Sequence, residues 1–132
     1  MPWTDEYTGI PFLINGRTRA GVDCYGLIVL VYRERLGIEL PAFTDVARDD
    51  SPASLRRVAR AYAEHKEAWQ RIEEPQPLDI VLLRTGKFIW HAGLVIDRRR
   101  MLHAQHGIDS SVEDFTAPLW RHRVEEFRRY AG

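Results

Sequence analysis

Cys24, His91 and His103 are residue types that together can cleave acyl bonds through a thiol. That chemistry needs a thiolate to attack, an imidazole to take and return a proton, and a group that orients the imidazole. Cys24 is the sole cysteine and stands in Gly21-Val22-Asp23-Cys24-Tyr25-Gly26-Leu27-Ile28, where a loop turns into an apolar helix. Asp23 is a good N-cap, so Cys24 falls in the first turn, where the positive end of the helix dipole favours the thiolate. Gly21 frees the approaching backbone, and Gly26 leaves room for a substrate backbone. Taken alone, a single cysteine here reads as a buried plug at a helix end. His91 and His103 change that reading, because each lies in an apolar stretch where a polar ring needs a partner. The three residues fill the three roles in the order nucleophile, base and orienting group, and Gly93 permits close backbone approach.

The reading carries a geometric condition. Side chains alternate along a strand, so a two-residue loop between the histidine strands puts the rings on opposite faces. A three-residue loop, Asp97 to Arg99, or a bulge puts them on one face. His106 is the fallback if the register differs, while His65 and His122 sit among charges and read as solvated. A zinc site from Cys24, His91, His103 and Asp97 lacks paired ligand spacing, so neither metal nor cofactor is expected.

The elements that must position these residues follow in order. Residues 1–20 read as irregular, with Trp3, Tyr7, Ile10, Phe12, Leu13 and Ile14 as packing residues and turns at Gly9-Ile10-Pro11-Phe12 and Asn15-Gly16-Arg17. The cysteine helix runs from about Cys24 to Leu36, with Gly37 as its stop. After a polar stretch from Thr44 to Asp50, Ser51-Pro52 opens a second helix whose apolar face is Leu55, Val58, Ala59, Tyr62, Trp69 and Ile72. Strands are expected at Leu78–Arg84, closed by Thr85-Gly86, at Phe88–Ile96 and at Arg100–Ala104. A short strand at Ser110–Val112 and a helical turn at Glu113–Phe115 follow. Arg121–Tyr130 closes the sheet as an edge strand, with a helix as the alternative. Two helices followed by an antiparallel meander make an α+β fold with the helices on one face.

Bulk properties set limits. The 132 residues suit one domain, residues 1–132. Lys plus Arg equals Asp plus Glu at 19 each, so charge gives no reason to expect nucleic acid or a membrane surface. No apolar run reaches the length of a membrane span, and the Met-Pro-Trp-Thr-Asp-Glu start lacks the pattern of a signal peptide. One cysteine makes no internal disulfide. The arginine pairs and triplet at Arg56-Arg57, Arg98-Arg99-Arg100 and Arg128-Arg129 read as solvated faces.

Gly-Val-Asp-Cys-Tyr-Gly-Leu-Ile at 21–28, His-Ala-Gly-Leu-Val at 91–95 and Leu-His-Ala at 102–104 together resemble the NlpC family of cell-wall cysteine peptidases. Pro77-Leu78-Asp79-Ile80-Val81-Leu82 extends the resemblance. Gly9-Ile10-Pro11-Phe12, Gly16-Arg17 and Gly37-Ile38-Glu39-Leu40-Pro41 are similar to the short phage-encoded members carried at tail tips or used in tail assembly. The resemblance implies a papain-like core with the cysteine helix on a small antiparallel sheet. It implies Cys24 as nucleophile, His91 as base, His103 as the third group and the Cys24 N–H in the oxyanion hole. It implies a peptidoglycan stem peptide as substrate, commonly cut between D-glutamate and diaminopimelate, with Asp23 and Tyr25 beside it and tail-tip or baseplate hub proteins as partners. Tyr25 replaces the serine usual in the family, and the upstream tyrosine of cellular members has only Tyr7 as a counterpart. The alternatives are a tail subunit that keeps the fold for assembly, and amidase or acyl-transfer chemistry on a substrate outside the wall.

Overall fold

The computed structural model describes residues 2–41, 53, 56, 57, 60, 61, 64, 68–85 and 88–131. A 3₁₀ helix at Trp3–Tyr7 leads to a two-stranded ribbon, β1 (Arg17–Thr18) with β2 (Gly21–Val22), and directly into α1 (Cys24–Val31). Every residue of α1 from Gly26 to Val31 is buried, so this is a core helix rather than an amphipathic surface one. It continues as a π turn over Tyr32–Leu36 and ends at Gly37, whose φ of 67° is the left-handed conformation that a glycine adopts freely. The N-terminal segment is thus more regular than expected, and Leu13, expected to pack, is half exposed.

Of the expected second helix, Ala53, Arg56, Arg57, Arg60, Ala61 and Glu64 are helical. Residues 42–52, Leu55, Val58, Ala59, Tyr62 and His65 lie outside the described residues, as does Gly86. The helix does not reach Ile72. Trp69–Ile72 is a strand, β3, and Trp69 packs its ring against Tyr32 and Tyr130 at centroid distances of 5.5 and 5.1 Å. An aromatic and a β-branched residue bounding a four-residue run suit a strand as well as a helix face.

The main sheet contains β3, β4 (Ile80–Thr85), β5 (Phe88–Val95), β6 (Arg100–Gln105), β7 (Ile108–Asp114) and β8 (Val124–Tyr130). Its order is β3-β8-β4-β5-β6-β7. Two expectations are corrected here. Glu113 and Asp114 are not a helical turn but the end of β7, paired with Met101 and Arg100. The last strand is not an edge, because β8 inserts between β3 and β4 and is antiparallel to both. Arg129 shows why it holds that place: its guanidinium donates to both oxygens of buried Asp79 at 2.9 Å, tying β8 to the start of β4. Arg128 likewise donates to the Trp69 carbonyl, so neither arginine is simply solvated.

Alternation divides the sheet's two faces. Leu82, Ala92, Leu94, Leu102 and Ala104 join Leu27, Ile28 and Val31 in the core beneath α1. Val81, Leu83, Val95 and Met101 face the other way, under Phe115 and Trp120. The result is the α+β class expected, with α1, among the described residues, packed on a mostly antiparallel sheet. Among the described residues no helix is long and apolar enough to cross a membrane.

Candidate active site

The loop between β5 and β6 has three residues. Val95 pairs with Met101 and the Ile96 N–H donates to the Arg100 carbonyl, leaving Asp97, Arg98 and Arg99 to turn the chain. This is the arrangement that sets His91 and His103 on one face. A bulge helps to aim them: β4 pairs Leu83 with His91 but Arg84 with Ile89, so β5 carries an extra residue beside His91. His91 Nε2 lies 2.8 Å from His103 Nδ1, and both residues are only 1% exposed.

Two partners complete the cluster. Glu113 Oε2 stands 2.5 Å from His103 Nε2, and Trp120 Nε1–H donates to Glu113 Oε1 at 3.2 Å. The Trp120 ring also stacks on His91 (5.9 Å, 22°) and meets His103 edge-on. Sequence reading missed Glu113 because it assigned residues 113–115 to a helical turn. Had 108–114 been taken as one strand, hairpin register would have put Glu113 on the His103 face, diagonal to it. Gly93 serves this packing rather than a backbone approach. A Cβ there would lie 2.9 Å from Met101 Sδ and 3.4 Å from His103 Cβ.

Cys24 is partly exposed and opens α1, which packs on β5 and β6, the strands that carry the two histidines. Asp23 caps the helix as expected, and its carboxylate does more. It accepts from Gly26 N–H at 2.7 Å, from Asn15 N–H at 2.8 Å and from the Arg17 guanidinium at 2.7 Å. Tyr25 donates to the Pro41 carbonyl at 2.6 Å and lies beneath the Arg17 guanidinium, while burial pushes its hydroxyl pKa up to about 12. Both residues therefore brace the start of α1. The space Gly26 provides is taken by the chain itself, since a Cβ there would fall 1.8 Å from the Gly16 carbonyl oxygen.

The remaining sequence candidates lie elsewhere. His106 is exposed and meets the Phe12 ring edge-on, and His122 is exposed beside Arg121. Asp97 holds its own turn by accepting from Arg99 N–H and Arg100 N–H. Arg99 pairs with Asp114 and Arg100 with Asp97 across that exposed hairpin end. Among the described residues, no group of three or more His, Cys, Asp or Glu side chains is placed to hold a metal ion.

Burial, reinforced by His103 and Arg123, pulls the His91 pKa down to about 3. Burial lowers His103 as well, against an opposing pull from Glu113. Both rings are thus neutral at pH 7, while a histidine of the unfolded chain takes up a proton near pH 6.5. Between these limits the unfolded chain binds more protons, so stability is full above about pH 6.5 and is lost as pH falls toward the folded values. His91 contributes a slope of up to about 1.4 kcal/mol per pH unit, and His103 adds to it in the same direction. Urea midpoints are expected to fall steadily from pH 7 to pH 5, above the range in which most carboxylates titrate. A flat profile would contradict the burial of neutral rings.

The model of the NlpC/P60 family matches residues 9–129. The Escherichia coli protein "Murein DD-endopeptidase MepS/Murein LD-carboxypeptidase" is 26% identical over 124 residues, covering 94% of this chain and 57% of the relative. A "Probable endopeptidase" of Haemophilus influenzae is also 26% identical, covering 94% of this chain and 68% of the relative. A solved lipoprotein-like NLP/P60 structure from Staphylococcus aureus superposes with a TM-score of 0.68 at 25% identity, covering 96% of this chain and 38% of that one. The chain thus spans little more than half of the E. coli relative.

Proposed function

Since the chain belongs to the NlpC/P60 family, we propose that it is a cysteine peptidase hydrolysing stem peptides of peptidoglycan. One observation carries the reading: two buried histidines hydrogen-bonded to each other lie on β5 and β6, the strands on which the helix headed by the sole cysteine packs. In this mechanism Cys24 gives its proton to His91, and its sulfur attacks the peptide carbonyl. The C–N bond breaks, and the amine leaves with the proton from His91. Water, deprotonated by His91, then hydrolyses the thioester and restores the thiol. His103 orients His91, and the N–H groups at the head of α1, with that of Cys24, stabilise the oxyanion. Asp23 and Tyr25 flank the bound peptide. Asp23 retains about one of its roughly four acceptor positions for it.

The family's common bond, between D-glutamate and diaminopimelate, is the proposed point of cleavage. Incubation with purified Gram-negative peptidoglycan should release stem-peptide fragments identifiable by mass spectrometry. No release at micromolar enzyme would refute the activity, and fragments ending elsewhere would refute the bond.

We also propose carriage by a phage-like tail, through tail-tip or baseplate hub proteins, to the periplasmic wall. Its support is the likeness of the 9–12, 16–17 and 37–41 stretches to short phage-encoded members of the family. Tail particles purified from a producing strain should contain the protein, and particles lacking it would rule this out.

A further inference from the structure

The most connected polar group near the histidines is one that the proposed reaction does not use. His91, His103 and Glu113 come from three successive strands, β5, β6 and β7, and lie on one face of the sheet. The β6–β7 register pairs Met101 with Glu113 and His103 with Ser111, so Glu113 sits diagonally across from His103. Its two oxygens have separate duties, Oε2 to His103 and Oε1 to the indole N–H of Trp120. Trp120 is itself 3% exposed and stacked on His91, so the carboxylate is held at both ends by the cluster it serves.

Hydrogen-bond bookkeeping gives this arrangement a direction. An ionised carboxylate only accepts, so the His103 Nε2 facing it carries hydrogen. A neutral ring with hydrogen on Nε2 has its lone pair on Nδ1, and that nitrogen faces His91 Nε2 at 2.8 Å. His91 Nε2 must then be the donor, which leaves His91 Nδ1 unprotonated. Without the carboxylate the same pair of rings can be written in the reverse sense, with hydrogen on His103 Nδ1 and His91 Nδ1. Two neutral imidazoles alone do not choose between these arrangements.

We propose that Glu113 is a positioning residue that selects the tautomers of both histidines, so that His91 presents an unprotonated Nδ1. Its catalytic consequence rests on the reading of Cys24 and His91 as nucleophile and base, but the tautomers do not. Glu113 is ten residues from His103 in sequence and acts through it on His91.

Glu113→Gln is the informative substitution, because it is isosteric yet offers one acceptor where two donors converge. The amide oxygen can serve Trp120 or His103, not both. If it serves Trp120, the amide NH₂ faces His103 and the arrangement reverses. Adding Trp120→Phe removes the competing donor and lets the oxygen turn to His103. Long-range ¹H–¹⁵N correlation on ¹⁵N-histidine protein at pH 7.5 reads which ring nitrogens carry hydrogen. Alkylation of Cys24 by iodoacetamide reads thiol activation without any wall substrate.

In the wild type both rings should carry hydrogen on Nε2. Glu113→Gln should reverse or mix the tautomers and slow alkylation about 10²-fold, part of the ~10⁴-fold that a fully wrong tautomer costs in a nucleophile–histidine–acid triad. Glu113→Gln/Trp120→Phe should restore the Nε2–H signals and recover at least about tenfold of the rate. Hydrogen on Nδ1 of either wild-type ring overturns the proposal. So does a folded Glu113→Gln variant with unchanged tautomers and a rate within about twofold of wild type. Wild-type protein that releases no wall fragments, yet gives the expected tautomers and the alkylation loss, retires the wall substrate and supports this role for Glu113.

Discussion

Cys24→Ala is expected to lower peptidoglycan cleavage by about 10⁴-fold or more, with the fold intact. The chemical side follows from the proposed reaction: no other thiol exists in the chain, so no covalent intermediate can form. The structural side follows from what holds the helix. The cap is made by the Asp23 carboxylate with the backbone N–H of Gly26, and the packing by Leu27, Ile28 and Val31, all of which the alanine variant keeps. Alanine is also the best helix former. Urea unfolding should therefore place the variant within about 1 kcal/mol of wild type. Nucleophile and base act as a unit, so Cys24→Ala/His91→Ala should cleave no more slowly than Cys24→Ala alone. Retention of more than about a tenth of the activity by the folded alanine variant would remove Cys24 from the mechanism.

Gly26→Ala is expected to destabilise the protein by about 2–3 kcal/mol, the cost of overpacking a site that cannot give way. Helix propensity alone predicts the opposite sign, since alanine is favoured over glycine in a helix interior by about 1 kcal/mol. Contact decides between them. A Cβ at residue 26 would stand 1.8 Å from the Gly16 carbonyl oxygen and 2.8 Å from Arg17 Nη1, and the nearer atom is backbone. Relief requires moving the 15–17 segment, which supplies two of the three donors to Asp23. The same shift would loosen the seat of Cys24, so activity should fall along with the urea midpoint. A variant as stable as wild type or more so would mean that the 15–17 segment yields freely.

The residues 21–28, 91–95 and 102–104 determined much by themselves. A capping aspartate before an apolar helix and alternation along a strand are local rules, acting within a few residues. They were enough to seat Cys24 at a helix start, whereas the facing of His91 and His103 turned on the length of the β5–β6 loop, which the pairing of Val95 with Met101 fixed at three residues. The antiparallel sheet beneath a cysteine helix was legible for the same reason. Trp69–Ile72 was not, because a short aromatic and β-branched run suits either period until Tyr130 and Phe127 arrive as strand partners. The interior place of β8 was equally hidden, since it depends on Arg129 reaching Asp79 across 50 residues. Gly26 read as space for a ligand, and only the tertiary fold filled that space with Gly16. Glu113 had no local signature: a carboxylate in a polar stretch looks like solvated surface. Its meaning came from the β6–β7 register and from Trp120, which together brought one acceptor to two donors. Pattern within a segment is set by periodicity and capping. Which segments meet is set by burial and by long-range hydrogen bonds, and that decided what stands behind His103.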